Sequence, residues 1–141
     1  MDKKMFCFQC EQTVGCAGCT GNAGVCGKKA DTARLQDELT GALIGLARAV
    51  DSTTAISKRT GQVIIEGLFT TVTNVNFDDA SIENMIQKVR AEKERLVPDC
   101  SKCQSSCGKT DEYDMQQLWN ANEDIRSLKS LILFGIRGMA A

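Results

Sequence analysis

The chain has 141 residues, of which 43% are hydrophobic and 25% charged, and its formal net charge is −1. This composition is typical of a globular domain, and the lack of a basic excess argues against nucleic-acid binding. No apolar run could cross a membrane and no apolar segment follows the N-terminal lysines as in a signal peptide, so we expect a cytoplasmic protein. The chain contains no histidine, which excludes Cys–His catalysis and any Cys/His zinc site within it.

The first 29 residues form a loop-like segment rich in cysteine and glycine. Two C-x₂-C pairs, Cys7–Cys10 and Cys16–Cys19, are followed by Cys26 after six further residues. Glycines recur at every third position between residues 15 and 27. This pattern disfavours a regular helix and is typical of a loop whose backbone N–H groups point inward.

Four chemistries are open for these cysteines. Disulfides are permitted by the even count, but a cytoplasmic chain keeps its thiols reduced. Zinc knuckles prefer roughly 15–20 residues between C-x₂-C pairs, whereas only five residues separate Cys10 from Cys16. A thioredoxin-type dithiol requires a βαβ context that the pattern does not indicate. Four thiolates from a short glycine-rich loop suit an iron–sulfur cluster, which is the interpretation we favour.

Helical periodicity begins after this loop. A first helix is predicted from an N-cap at Asp31 or Thr32, with apolar positions at spacings of three and four from Leu35 to Val50. A second helix is predicted over about 54–74, with a strand as its alternative because β-branched residues are frequent there.

The later helices are marked by a turn and by a proline. The turn at 76–81 precedes a third helix with Ile82, Met85, Ile86 and Val89 inward, and Pro98 ends it. The last helix is predicted from Asn120 or Asn122, with an apolar stripe made up of Ile125, Leu128, Ile132, Ile136 and Met139. Because this helix stays apolar to its end, we expect the chain to belong to something longer.

The predicted fold is therefore all-α, an antiparallel helical bundle with an N-terminal Cys/Gly-rich iron–sulfur loop. We divide the chain into a cluster-binding loop (1–29), a three-helix bundle (30–97), a Cys-rich linker (98–119) and the start of a second helical bundle (120–141).

Several side chains have both a functional and a structural interpretation. Phe6 and Phe8 either shield a cluster or pack in the core, and for Trp119 a packing role is favoured over gating of electron transfer. Positive charge at Lys28 and Lys29 would favour the more reduced, more negative cluster or meet an acidic redox partner, but we prefer an ordinary solvated turn for both. The charges in 88–95 are expected on an exposed helix face.

A second cysteine group lies in the predicted linker. Cys100, Cys103 and Cys107 supply three thiols, and Cys16 could complete a four-ligand site with them. The simpler interpretation, which we prefer, is a linker with free thiols.

Four segments resemble a known family. They are "MFCFQCEQT" with the following "GC" and "GVCGK", "LQDELTGALIGLARAV", "GLFTTVTNVNFDDA" and "NEDIRSLKSLILFGIRGMAA". They resemble the hybrid-cluster proteins, also called prismane proteins or hydroxylamine reductases, over the first part of that family's helical N-terminal domain. The resemblance implies that Cys7, Cys10, Cys19 and Cys26 hold a [4Fe–4S] cluster and that Cys16 is a spare thiol.

The resemblance also limits the activity that we expect of these 141 residues alone. The family's reactive centre is a hybrid iron–sulfur–oxygen cluster held by His, Glu and Cys residues of later domains. Since this chain has no histidine, we expect that cluster only in the full-length protein, and we expect the 141 residues alone to be inactive. The full-length family reduces hydroxylamine to ammonia, and nitric oxide reduction in anaerobic stress defence is also attributed to it.

Three hypotheses for this chain follow. The first is an electron-transfer module that accepts electrons from a redox partner, such as an NADH-dependent reductase or a small electron carrier. The second is a structural metal-binding module, and the third is a thiol-sensing module. We also expect the last helix to pair with a neighbour, for instance in a homodimer.

Overall fold

The computed structural model describes residues 5–10, 17–50, 56–97 and 111–141. These residues form five helices, and apart from one isolated bridge they contain no strand. The helices are α1 (Ala30–Val50), α2 (Lys58–Thr70), α3 (Asp79–Leu96), α4 (Met115–Trp119) and α5 (Glu123–Ala140). The all-α prediction is confirmed.

The main hydrophobic core lies between α1, α2 and α3, and the most extensive packing is that of α1 against α3. Its members recur at helical spacing, so that each helix turns one apolar stripe towards the others. The buried members are Leu35, Leu39, Ala42, Leu43, Leu46, Val50, Val63, Ile82, Met85, Ile86 and Val89. The inward positions predicted for the third helix are all among them.

Helix α1 begins slightly before its predicted cap. It starts at Ala30, so Asp31 and Thr32 lie in its first turn instead of capping it. Thr32 is buried and its hydroxyl donates to Asp79 Oδ1 at 2.6 Å, which ties the start of α1 to the start of α3. Long-range bonding thus gives this threonine a different role from the one its local sequence predicts.

Residues 58–70 form a helix, so the strand alternative was wrong. The side chain of Ser57 caps α2 by accepting from Thr60 N, and Asp78 caps α3 by accepting from Ala80 N. Asn74 adopts the left-handed conformation with φ 63° in the turn between them, as asparagine tolerates. This turn brings residues 71–77 against the N-terminal cysteine segments.

A short helix, α4, forms within the predicted linker. Asp114 caps it, and Met115 and Leu118 are buried although the segment is too short to show periodicity. Asn122 caps α5, as one of the two predicted starts. The four-region division of the chain stays a prediction.

The predicted apolar stripe of α5 is exposed in the structure. Leu128 is 59% exposed, Ile132 62% and Met139 88%. In α5, all of which the structure describes, the buried residue is Arg137. Within the described ranges, no helix is long and apolar enough to span a bilayer.

The charge run of α3 is partly buried, which corrects the expectation of a fully solvated face. Arg90 binds Glu112 through Nε at 2.7 Å and Glu38 through Nη2 at 2.9 Å. Glu92 is 1% exposed and accepts from Thr60 Oγ1 at 2.7 Å and from Arg95 Nη2 at 2.6 Å. Arg90 thereby links α3 to Glu38 of α1 and to Glu112 ahead of α4. Glu92 links α3 to Thr60 of α2.

Candidate cysteine cluster site

The structure brings the N-terminal cysteine segments together. Cys7 and Cys19 face each other in an isolated antiparallel bridge, with Cys19 N donating to Cys7 O at 2.7 Å and Cys7 N donating to Cys19 O at 3.1 Å. Both residues are buried, whereas Cys10 and Cys26 are half-buried. Cys7, Cys19 and Cys26 are free thiols, so none of these three forms the disulfide that the cysteine count permitted.

Glycines allow the close approach of these segments. Gly18 and Gly27 have φ values of 92° and 83°, a conformation that side chains rarely adopt. A Cβ atom at Gly24 would lie 3.2 Å from the terminal methyl of Met5 and 3.4 Å from the sulfur of Cys26. Three of the regularly spaced glycines, Gly18, Gly24 and Gly27, therefore meet conformational or steric requirements around the cysteines.

A buried polar network joins the cysteine segments to α1. Lys28, two residues after Cys26, is 2% exposed. Its ammonium donates to Gln9 Oε1 at 2.8 Å and to Gln36 Oε1 at 2.5 Å. Gln9 lies inside the Cys7–Cys10 pair, and Gln36 lies on α1. The expectation of a solvated turn at Lys28 was wrong, because its side chain folds inward onto these amide oxygens.

Gln9 and Gln36 extend this network in two directions. Gln9 Nε2 donates to Asp37 Oδ1 at 2.6 Å and to Ala33 O at 3.3 Å. Gln36 Nε2 donates to Asn76 O at 2.8 Å in the turn before α3. The cysteine loop is thereby attached both to α1 and to the turn that follows α2.

A second buried cation lies in the same region. Arg137 of α5 donates from Nε to Thr71 Oγ1 at 3.1 Å and from Nη2 to Thr40 Oγ1 at 2.9 Å. Burial lowers the pKa of Arg137, while the negative charges of Asp37 and Cys7 oppose that shift. Guanidinium nevertheless stays protonated in proteins, so Arg137 carries a buried positive charge.

Burial also raises the pKa of two acidic groups beside these cations. The pKa of Asp37 rises to about 6, against the opposing effects of the Gln9 hydrogen bond and of the charges on Arg137 and Lys28. Burial raises the pKa of the Cys7 thiol, and the backbone N–H of Gln9 and the charge of Lys28 oppose this. The net effect favours the neutral thiol at Cys7, with burial outweighing the N–H of Gln9 and the charge of Lys28.

Aromatic rings cover the other side of the Cys7 segment. Trp119 of α4 packs on Phe6 with ring centroids 5.1 Å apart and on Phe8 with centroids 4.9 Å apart. The guanidinium of Arg126 lies 4.6 Å from the Trp119 centroid. The predicted packing role of Trp119 agrees with these contacts, which cover this side of the segment with aromatic rings.

A cavity of about 550 Å³ opens between α1, Phe6 and the segment that leads into α4. Its lining includes Asp37, Glu38, Glu112 and Asp114. Arg34 also lines it, and Glu38 and Glu112 are paired with Arg90. The cavity places the carboxyl of Asp37 between the cysteine loop and a solvent-connected space.

The described thiols do not converge on a single-ion site. Among the residues that the structure describes, no three Cys, Asp or Glu side chains are grouped so that they could hold one metal ion. A structural zinc site would place four sulfurs at about 2.3 Å from one ion. The described residues by themselves therefore form no preformed zinc knuckle, and Cys16 of the second C-x₂-C pair lies outside them.

The sequence matches a known family over nearly its whole length. The family model of the prismane/CO dehydrogenase family matches residues 5–141. The chain belongs to this family. Similar curated proteins include the hydroxylamine reductases of Clostridium perfringens (37% identical, 97% of this chain), Porphyromonas gingivalis (38%, 100%) and Thermodesulfovibrio yellowstonii (40%, 97%). The chain spans about 29% of the length of each of these relatives.

The choice of ligand cysteines in this prismane-family chain stays a prediction. The described structure contains Cys7, Cys10, Cys19 and Cys26, the four thiols that the resemblance selected. Outside the described residues lie Cys16 and the second cysteine group, which consists of Cys100, Cys103 and Cys107. Their roles stay predictions. The sequence analysis missed Gln9, Gln36, Asp37 and Arg137, since buried polar residues leave no periodic signal.

Proposed function

We propose that this chain is the N-terminal iron–sulfur electron-relay part of a hydroxylamine reductase-like protein. In this proposal Cys7, Cys10, Cys19 and Cys26 bind a [4Fe–4S] cluster. The observation that supports it is the antiparallel bridge that pairs the buried Cys7 and Cys19 next to Gly18, in a chain of the prismane family. Hydroxylamine reductase is the printed name of relatives that match almost all of this chain.

The donor set fits such a cluster. Thiolates are the soft ligands that iron–sulfur clusters use, and each cysteine binds a different iron atom, so the sulfurs need not surround one ion. The backbone N–H of Gln9 is directed to the Cys7 sulfur, as expected of loops that donate to cluster sulfurs. No histidine or carboxylate is required.

The charged groups near the cysteines also fit a bound iron–sulfur cluster. Lys28 and Arg137 are buried cations whose hydrogen-bond partners in the described structure are amide and hydroxyl oxygens. The nearby carboxyl, Asp37, is held less acidic by burial, with its pKa at about 6. Buried cations are costly unless an anion is close, and four thiolates with their cluster supply that negative charge.

The chain's own residues define the physical conditions of the relay. A bound [4Fe–4S] cluster supplies one-electron transfer chemistry. Phe6, Phe8 and Trp119 form a half-buried aromatic cover on one side of the Cys7 segment, and an apolar cover reduces solvent access to a bound cluster. Half-buried Cys10 and Cys26 lie nearer the surface, where a redox partner such as an NADH-dependent reductase or a small electron carrier would deliver electrons.

The activity of the whole protein is a further proposal, because the chain spans only about 29% of its relatives. We propose reduction of hydroxylamine to ammonia at a hybrid iron–sulfur–oxygen cluster supplied by other parts of a full-length protein. This chain has no histidine for such a centre. The exposed apolar side of α5 supports pairing with a neighbouring helix, which for the isolated chain means a homodimer.

Anaerobic purification with iron and sulfide assays and EPR before and after dithionite tests the relay. We expect about four iron atoms per chain and a signal that appears on reduction. Serine variants of Cys7, Cys10, Cys19 and Cys26 should each lose that signal. Cys16→Ser is the matched control and should retain it, because the resemblance makes Cys16 a spare thiol.

Other outcomes would redirect the proposal. Zinc in place of iron, or a metal-free and fully folded protein, would indicate a structural module. Reversible oxidation of the thiols without a cluster would indicate thiol sensing. Either result would contradict the electron-relay role of this chain.

A further inference from the structure

The most unusual buried group outside the proposed ligands is the ammonium of Lys28. It is 2% exposed, whereas the adjacent Lys29 is exposed. Gly27 is left-handed with φ 83°, and the turn closes through hydrogen bonds from Gly27 N to Gly24 O and from Gly24 N to Lys28 O, both 2.8 Å. This turn directs Lys28 inward directly after Cys26.

The partners of Lys28 solvate its charge without neutralising it. Gln9 and Gln36 each offer a side-chain carbonyl, at 2.8 and 2.5 Å. In the described part of the chain no carboxylate lies within ion-pair distance of its ammonium, and Asp37 acts on this region only through Gln9 and at longer range. Because these direct hydrogen-bond partners are neutral, they do not cancel the electric field of the Lys28 ammonium. That field is strong where water is excluded.

The position of Lys28 also gives it a mechanical role. Through Gln9 it holds the turn between Cys7 and Cys10, and its own backbone follows Cys26. It therefore links the first two and the last of the four proposed ligands, while Gln36 anchors the set to α1. The ring of Phe77 covers the ammonium with its centroid at 5.9 Å.

We propose that Lys28 is a positioning residue that sets the reduction potential of the bound cluster through its buried positive charge. This deepens the proposed function and depends on it. One-electron reduction by an external reductant adds a negative charge to the cluster, with no bond made or broken. The fixed ammonium stabilises the more negative reduced state, so it raises the potential.

The test compares the midpoint potentials of Lys28→Gln, Lys28→Arg and Lys29→Gln in the full 141-residue chain. Each is measured by EPR-monitored redox titration at two ionic strengths, after iron and sulfide have been assayed. Lys29→Gln is the matched control because it removes the same charge from a solvated position. We expect Lys28→Gln to lower the potential more than Lys29→Gln, at both ionic strengths, because salt screens exposed charges more than buried ones. We expect Lys28→Arg to stay near the wild type.

Each outcome decides the proposal. Equal potentials for Lys28→Gln and Lys29→Gln, with clusters intact, would overturn it while leaving the relay function standing. If Lys28→Gln loses its cluster, a loaded Lys28→Arg with a near-native potential supports the role of charge. Loss of the cluster in both variants at position 28 overturns that role, because the arginine keeps the charge. A wild-type chain that binds no iron overturns the proposed function and this inference together.

Discussion

A glycine in the middle of α1 is the site of our most specific stability prediction. The backbone of the segment before α4 crosses α1 at Gly41, where Tyr113 N donates to Gly41 O at 3.2 Å. A Cβ atom at position 41 would lie well under 3.0 Å from Tyr113 O, closer than real Cβ contacts come. Because the obstacle is backbone, no side-chain rotation relieves it.

The change in the free energy of unfolding is the sum of one stabilising and two destabilising contributions. Alanine in a helix interior gains roughly 1 kcal/mol over glycine. Overpacking of this kind costs about 1–3 kcal/mol, and loss of the Tyr113–Gly41 hydrogen bond costs about 1 kcal/mol. The free energy of unfolding of Gly41→Ala should therefore fall by about 1–3 kcal/mol.

Two other helical glycines provide the controls. At Gly61 the nearest atom to a new Cβ is 4.0 Å away, so Gly61→Ala should stabilise by about 0.5–1 kcal/mol. At Gly67 the clash is with Leu43 Cδ2 at 2.7 Å, a side-chain atom that can rotate away. We therefore expect the free energy of unfolding of Gly67→Ala to lie between those of Gly41→Ala and Gly61→Ala.

Urea unfolding followed by circular dichroism measures the three free energies. Trp119 is the single tryptophan of the chain and lies on α4, directly after the displaced segment, so its fluorescence reports the local shift. We expect a changed emission spectrum for Gly41→Ala and a native one for Gly61→Ala. A Gly41→Ala variant as stable as Gly61→Ala, with native emission, would refute the reasoning.

Three further predictions concern α3, the aromatic cover and α5. Hydrogen bonds from Arg95 and Thr60 lower the pKa of Glu92 to about 2, so its contribution to stability is present above about pH 4.5 and is lost as the pH falls towards 2. Glu92→Gln should thus cost about 1 kcal/mol at pH 7, a value reduced by screening of its exposed arginine partners, and almost nothing at pH 2; equal losses by urea unfolding at both pH values would contradict this. Trp119→Leu should speed the bleaching of the cluster's visible absorbance in air, because the rings of the Cys7 segment lose their cover, and an unchanged rate would show that this cover does not matter. Light scattering at tens of micromolar should show self-association that Leu131→Gln weakens, since Leu131 is 67% exposed on α5, and a monomeric wild type would count against pairing through that helix.

The sequence by itself located α1 and α3 and marked the cysteine-rich loop, whereas α4 gave no periodic signal. Spacings of three and four located α1 and α3 and their buried faces, because burial of an amphipathic helix requires that period. The spacing of the five N-terminal cysteines marked the candidate site, because cysteines close together in a glycine-rich loop can reach one cofactor wherever the rest of the chain lies. The choice of Cys7, Cys10, Cys19 and Cys26 among them came from the family resemblance and stays a prediction.

Only the tertiary structure decided which charged residues are buried. Lys28 and Lys29 are neighbours of the same type, yet one is inside and the other outside. Lys28 finds its acceptors on Gln9 and Gln36, and Arg137 finds its own on Thr40, 97 residues earlier in the chain. A charged side chain can be buried only where such acceptors are brought to it, and long-range packing, which leaves no local pattern, determines where they are.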